Sequence, residues 1–198
     1  MSESSSKTEL RLKLGLPSIA ELEISREWRA DRDSVVCYGD QIAIRLYDGT
    51  YWQVNRDHGD KIMGLGKQVA QCELIEIVDV ANPFASHRNR PIRCNEKVGL
   101  RFTSNNCFAG ADFCSSITGE LTARVPWVKE WETFTLVDTP TRPLRRDKKV
   151  RWGSWFALRA SNGKYVMFDK NDTKQLLACA PRIDEWETFV IIDPLKPQ

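Results

Sequence analysis

Apolar and polar positions alternate with a period of two in several short stretches of the chain. In one of them, Ile42, Ile44 and Leu46 are separated by single small or polar residues. Such alternation is typical of a β-strand with one buried face. The pair Asp48-Gly49 follows, and Asp-Gly supplies the positive φ angles that a tight hairpin turn needs. The pattern therefore predicts short strands joined by hairpin turns, with little helix.

One motif occurs twice in nearly identical form. The string WETFTLVD spans residues 131–138, and WETFVIID spans residues 186–193. A degenerate third copy, CELIEIVD, spans residues 72–79 and has Cys72 and Ile75 where the other two have Trp and Phe. Recurrence at this spacing indicates an internal repeat.

Each copy also has a matching start. The strings IAIRLYDGTYW, VGLRFTSNNCF and FALRASNGKYV, which begin at residues 42, 98 and 156, align without a gap. A single hairpin cannot bury its own face in water, so the repeated units must close against each other around one shared core. The alignment predicts about twelve strands in three units of four strands each. The turn pairs in this alignment are Asp48-Gly49, Ser104-Asn105 and Asn162-Gly163, the units span 39–79, 95–138 and 152–193, and the shared core layer holds Ile44, Leu100 and Leu158.

The motifs of the third unit resemble the fascin-like branch of the β-trefoil family. They are Leu158-Arg159, Asn162-Gly163-Lys164-Tyr165-Val166, Leu177-Ala178 and the WETF string at 186–189. The second unit matches through Leu121-Thr122-Ala123 and the WETF string at 131–134. The resemblance covers residues 37–193 and implies an all-β fold, a β-trefoil of three pseudo-symmetric four-stranded units. The Gln-x-Trp signature of ricin-type lectins is absent, so no sugar site is carried over from that branch.

The chain is predicted to have two parts. Residues 1–36 form an N-terminal extension, and residues 37–198 form the β-trefoil domain. Residues 1–8 are polar and Ser-rich, which predicts disorder at a terminus. Residues 9–16 alternate as an accessory strand would, and Pro17 ends the pattern. Residues 18–28 fit either a helix that begins at Ser18 or a further strand, and the sequence leaves both open.

Composition and charge exclude several classes of partner. A net charge of +2 and 41% apolar residues are too ordinary to indicate nucleic acid or an anionic membrane as the partner. No stretch approaches the roughly 20 apolar residues of a membrane span. The first residues lack the apolar region of a secretory signal peptide, so a cytoplasmic location is expected. The six cysteines are then expected to be reduced.

No arrangement of residues in the sequence indicates catalysis. There are only two histidines and no Cys-x-x-Cys pair, and both the phosphate-binding Gly-rich loop and the Gly-x-Ser-x-Gly motif are absent. The paired acids Glu130 and Glu132 belong to the repeated motif, which favours a structural role. We therefore expect no enzyme activity, no metal site and no cofactor.

Tryptophans that are not repeated are the candidate ligand contacts. Positions that build the fold recur in all units, whereas a ligand site is free to break the symmetry. Trp127, Trp152 and Trp155 break it, and the flat apolar face of an indole suits a sugar ring. The alternative is that they pack at one end of the fold. The repeated Trp131 and Trp186 are expected to pack in the core or at the end of the barrel.

A basic segment lies just before two of these tryptophans. Residues 139–151 contain six Lys or Arg residues and a single acid, Asp147. The segment is either a solvated connection or an anion-binding patch. The candidate anion contacts in this segment are Arg145, Arg146, Lys148 and Lys149.

These observations favour a non-catalytic binding module, with lectin-like carbohydrate binding as the first hypothesis. Actin binding or bundling of the fascin type is the alternative, and it is implied only by the resemblance. A protein-binding inhibitor or scaffold is the third. The expected partner is a glycan or a protein such as actin, without nucleic acid or membrane insertion, and the protein is expected to be a monomer or a weak dimer.

Overall fold

The computed structural model describes residues 35–69, 73–84, 89–113, 119–170 and 173–195. The chain divides into two units at the boundary between Val35 and Val36. The second unit contains all the strands given below. The predicted N-terminal extension lies outside the described residues except for residues 35 and 36, and so does Cys72 of the degenerate motif. No helix in the part of the chain that the structure describes is long and apolar enough to cross a membrane.

Twelve antiparallel strands make up the described fold, in agreement with the predicted number and with the all-β class. Short 3-10 turns lie at Arg56–His58 and Glu185–Glu187. The strands are β1 (Gln41–Arg45), β2 (Tyr51–Asn55), β3 (Lys61–Gly66), β4 (Ile75–Asp79), β5 (Lys97–Phe102), β6 (Phe108–Asp112), β7 (Glu120–Val125), β8 (Phe134–Val137), β9 (Trp155–Arg159), β10 (Tyr165–Phe168), β11 (Leu176–Ala180) and β12 (Phe189–Ile192).

The predicted fold class, a β-trefoil of three pseudo-symmetric four-stranded units, is wrong in how it divides the sheet. Ten strands form one closed ring in the order β1-β2-β3-β7-β11-β10-β9-β8-β5-β4 and back to β1. Two further strands are added to it: β6 pairs with β5 and β7, and β12 pairs with β1 and β9. An isolated unit would leave strand edges with unpaired backbone groups. The last strand of each repeat therefore pairs with the first strand of the next, and no repeat forms a sheet of its own.

The internal repeat is nevertheless visible in equivalent backbone hydrogen bonds. Before each opening strand, a residue with positive φ donates its N–H to a carbonyl in the closing strand of the same repeat. Gly and Asn tolerate this left-handed conformation better than other residues do. The three bonds run from Gly39 to Ile77 (2.8 Å), from Asn95 to Leu136 (2.7 Å) and from Gly153 to Ile191 (2.8 Å).

The gapless alignment of the repeats is wrong by one residue in the hairpin turn of the second unit. In each turn an Asp or Asn side chain accepts the backbone N–H two residues further on, and these side chains are Asp48, Asn105 and Asn162. The residue that follows each of them has positive φ. The equivalent of Asp48-Gly49 is therefore Asn105-Asn106, because the turn in the second unit contains one additional residue.

The core confirms some of the predicted burial and corrects the rest. Ile44, Leu100 and Leu158 belong to one buried cluster, each at most 1% exposed. Of the two repeated tryptophans, Trp131 is 39% exposed and Trp186 is half-buried. The expectation is therefore wrong for Trp131, whereas Trp186 packs against the main core cluster with part of its surface exposed. The phenylalanine of each motif is the first residue of its strand and enters the core, whereas the tryptophan lies in the turn before the strand and is not fully enclosed.

Candidate functional site

A cleft of about 590 Å³ lies beside the start of β9 and the turn that follows β1. Three aromatic residues, Tyr47, Trp155 and Trp186, line it together with polar and charged side chains. We call it the aromatic cleft. The Tyr47 ring lies 6.4 Å from the ring of Trp155 and 5.5 Å from the ring of Trp186, both in edge-to-face geometry, which aromatic pairs prefer. Tyr47 is 42% exposed, so the cluster remains open to a ligand.

Local structure fixes the position of Trp155. It is the first residue of β9 and pairs with Val190 on β12. Its side chain packs against a small buried cluster that includes Ala43, Tyr51 and Ile192. The indole is therefore anchored on one side by apolar packing.

A buried carboxylate fixes the position of Trp186. The backbone N–H of Asp184 donates to the carboxylate of Glu187 at 2.8 Å, which closes the turn that carries Trp186. The second repeat has the same contact, from the Lys129 N–H to the carboxylate of Glu132 at 2.9 Å. Both acids are buried, and burial raises the pKa of Glu187. The second glutamate of the repeated motif thus has the structural role that the sequence favours.

Charged groups surround the aromatic rings. The guanidinium of Arg142 lies 4.1 Å from the ring centroid of Trp155, and Lys170 Nζ lies 4.3 Å from that of Trp186, which is cation–π geometry. The Tyr47 hydroxyl donates to Glu185, and this hydrogen bond raises the pKa of Tyr47. The cleft therefore combines apolar ring surface with donors and acceptors at its edge.

The structure does not bring the three predicted tryptophans together. Trp155 lines the aromatic cleft, whereas Trp152 is half-buried and packs against the main core. Trp127 is 50% exposed and follows β7, where Lys129 Nζ lies 5.8 Å from its ring centroid.

The predicted basic residues are partly engaged within their own segment. Lys148 Nζ donates to Asp138 at 2.7 Å, whereas Lys149 donates only its backbone N–H, to Asp147 at 3.2 Å, and this bond does not engage its ammonium group. Arg145 and Arg146 are exposed, and neither forms an ion pair within the residues that the structure covers. Intramolecular pairing thus leaves fewer free cations than the sequence count indicates.

The ion pair between Arg151 and Asp147 gives a testable titration. Hydrogen bonds from Arg151, with an N–O distance of 2.8 Å, lower the pKa of Asp147 to about 2. An acid whose pKa is lowered by folding contributes stability above its unfolded pKa and loses that contribution as the pH falls through its folded pKa. We expect Arg151→Gln to move the NMR titration midpoint of Asp147 back towards 3.8. An unchanged midpoint would contradict this assignment.

Sequence reasoning missed two of the three aromatic residues in the cleft. Trp186 was assigned to core or barrel-end packing because it recurs in two units. Tyr47 was not considered, although its repeat equivalents are Thr103 and Ser161, so it breaks the symmetry as clearly as Trp155 does. A residue that differs from its equivalents in the other repeats was therefore the signal that could have identified Tyr47 from the sequence.

No protein-family model and no curated protein matches the sequence. Solved structures do match its fold. The SDF2-like protein from Arabidopsis thaliana superposes with a TM-score of 0.61 at 11% identity, covering 80% of this chain and 95% of that one. The designed threefold-symmetric protein ThreeFoil gives a TM-score of 0.53 at 11% identity, covering 77% and 98%.

A third similar structure is the Saccharomyces cerevisiae protein O-mannosyltransferase Pmt1-Pmt2 complex bound to the sugar donor. Its TM-score is 0.63 at 14% identity, and the match covers 84% of this chain but 27% of that one. These neighbours have a β-trefoil-type fold, and at such low identity the likeness is one of fold alone. The chain is thus similar in fold to threefold-repeated proteins, and the neighbours do not show the fascin-like branch in particular.

Proposed function

We propose that this protein is a non-catalytic binding module whose aromatic cleft binds a carbohydrate. The observation that carries the proposal is the contact of Tyr47 with both Trp155 and Trp186 in a cleft edged by charged side chains. Ligand sites of this kind are lined mostly by apolar and aromatic groups and contain a few polar groups that fix the orientation of the ligand.

The chemistry of the cleft matches that of a sugar ring. A pyranose has C–H groups on one face, which pack on an aromatic surface, and hydroxyls around its edge, which need donors and acceptors. The carboxylate of Glu185 and the guanidinium of Arg142 are placed beside the rings to meet such hydroxyls. Arg142 lies over Trp155 and is exposed, so a ligand can displace this flexible side chain to reach the indole.

The comparisons give independent but coarser support. One structural neighbour is an O-mannosyltransferase complex bound to its sugar donor, which is a carbohydrate context for a domain of this fold.

Both acids of the cleft already accept hydrogen bonds: Asp184 accepts one from Arg182 at 2.7 Å, and Glu185 accepts one from Tyr47. This engagement supports a binding role rather than general acid or base chemistry.

A glycan array with matched tryptophan variants tests the proposal. Trp155→Ala removes a ring of the cleft, and Trp127→Ala removes an exposed tryptophan that does not line it. We expect Trp155→Ala to weaken binding of the array's best glycan by at least about tenfold, as loss of a central aromatic contact does. Trp127→Ala should bind as the wild type does.

A second variant shows whether a loss of binding comes from misfolding rather than from the lost contact. Tyr47→Ala changes an exposed turn residue and should reduce binding while the circular dichroism spectrum stays unchanged. A blank array for the wild-type protein would contradict the proposal, and so would equal loss in both tryptophan variants. If the wild-type protein binds no glycan on the array but co-sediments with actin filaments, the fascin-type alternative is favoured instead.

A further inference from the structure

A second cleft, of about 550 Å³, occupies the position of the aromatic cleft in the preceding repeat. The two clefts are related residue by residue. Lys97 stands where Trp155 stands, Ser161 where Tyr47 stands, and Glu130 where Glu185 stands. The backbone is therefore repeated, whereas two of the three aromatic side chains, Trp155 and Tyr47, are replaced by a cation and a hydroxyl.

The strand register places two cations in one row on the sheet. On neighbouring strands, Lys97 of β5 is directly opposite Thr135 of β8, and Thr135 is directly opposite Arg159 of β9. Residues directly opposite each other lie on the same face. Adjacent strands are roughly 4.8 Å apart, so the two cations flank the threonine hydroxyl within reach of one small group. We call Lys97, Thr135 and Arg159 the basic row.

The charges of the basic row are not neutralised within the described fold. Neither Lys97 nor Arg159 forms an ion pair with any residue that the structure describes, and both are exposed. The residue between them, Thr135, carries no charge that could compensate the two cations. This arrangement favours an anion as the missing partner.

The equivalent row in the first repeat shows what a neutralised version looks like. There, Gln41, Glu76 and Arg101 are the register partners on β1, β4 and β5. Glu76 forms an ion pair with Arg101 in that row, so the arginine is satisfied internally. The basic row has the same arginine position but a threonine in place of the glutamate and a lysine in place of the glutamine.

We infer that the basic row binds the sulfate ester or carboxylate of an acidic sugar chain. Lys97 and Arg159 supply the charge, and an arginine can contact such an oxyanion through two parallel N–H groups. Thr135 and Ser161 supply hydroxyl donors beside it. This site does not require the aromatic cleft to bind a sugar.

Two features favour a sugar-borne anion over a free one. The cleft is many times larger than the roughly 30 Å³ that one water molecule occupies in the liquid, so a bare anion would leave most of it unfilled. Glu130 also lines the cleft, and its carboxylate forms no hydrogen bond or ion pair with any residue that the structure describes. Its carboxylate can accept a sugar hydroxyl but repels a free anion.

Calorimetric titration with a sulfated oligosaccharide, its desulfated form and inorganic sulfate tests this site. The wild type should bind the sulfated sugar most tightly, with an affinity that falls as salt is added. The Lys97→Gln, Arg159→Gln double variant should lose roughly tenfold or more, because two charge-assisted contacts are removed. The matched control, Lys174→Gln with Arg56→Gln, removes equal charge at exposed positions that line neither cleft and should bind as the wild type does.

A gain of binding provides the converse test. Gln41→Lys with Glu76→Thr rebuilds the basic row around Arg101, and this variant should bind a second equivalent of the sulfated sugar.

Unchanged affinity in the Lys97→Gln, Arg159→Gln double variant would overturn the inference, as would loss of binding in the control. Equal affinity for inorganic sulfate would overturn the assignment to a sugar chain. Retention of anion binding in Trp155→Ala separates this site from the aromatic cleft.

Discussion

Replacement of Phe189 by alanine is expected to lower the free energy of unfolding by about 3–5 kcal/mol. Phe189 is fully buried in β12, and its ring lies 5.5 Å from Trp52 and 5.8 Å from Phe156. Truncation removes the buried area of the ring and leaves a cavity among other aromatic side chains. Because β12 joins β1 to β9, such a cavity would lie where strands of two repeats meet.

Urea denaturation of the wild type and of two matched variants measures this effect. Phe84 is 70% exposed, so Phe84→Ala makes the same chemical change without creating a cavity and should alter stability by no more than about 0.5 kcal/mol. A Phe189→Ala protein as stable as the Phe84→Ala protein would show that the repeated motif does not place its phenylalanine in the core.

The repeat made much of this fold predictable from the sequence. Period-two alternation and the recurring motif located the strands and placed Ile44, Leu100 and Leu158 in one core cluster. The division into four-stranded units failed because alternation shows which face of a strand is buried but not which strand lies beside it. Pairing is decided by the need to satisfy both edges of every strand, and strands of neighbouring repeats do this for each other.

Repetition was a weaker guide to the direction of individual side chains. It assigned Trp186 to core or barrel-end packing, and it gave no reason to expect that the Glu187 carboxylate is the more deeply buried of the two side chains. The structure buries the carboxylate instead, because the carboxylate accepts a backbone N–H that the turn leaves unpaired. A buried acid with a backbone partner has no hydrophobic signature, so the pattern of apolar residues could not reveal it.

The candidate sites follow from differences between repeats rather than from the repeat itself. Trp155, Lys97 and Gln41 occupy equivalent register positions and give an aromatic, a basic and a neutral surface on the same backbone. Trp155 was predictable because it breaks the symmetry. Tyr47 carries the same signal, whereas Trp186 recurs as Trp131 and could be placed in the cleft only when the structure brought a turn, a strand end and a 3-10 turn together.

Introduction of a single methyl group at Gly64 is expected to destabilise the protein by about 1–3 kcal/mol, as overpacking of a filled core does. Gly64 is buried in β3, where an added Cβ would meet the Cδ1 atom of Leu46 and would lie 2.6 Å from Phe168 Cε2. Both neighbours are themselves fully enclosed core side chains, so neither can move aside without displacing others. Glycine is needed here because the surrounding core side chains leave no room for a Cβ atom.

A double-mutant cycle with Leu46→Ala tests this explanation through urea denaturation. Leu46→Ala alone should cost about 2–5 kcal/mol, because it opens a cavity next to Gly64. The new methyl group of Gly64→Ala would enter that cavity, so the double variant should be more stable than the sum of the two single effects predicts, by more than about 0.5 kcal/mol. Strict additivity would contradict the steric explanation, because two changes that compete for the same space cannot act independently.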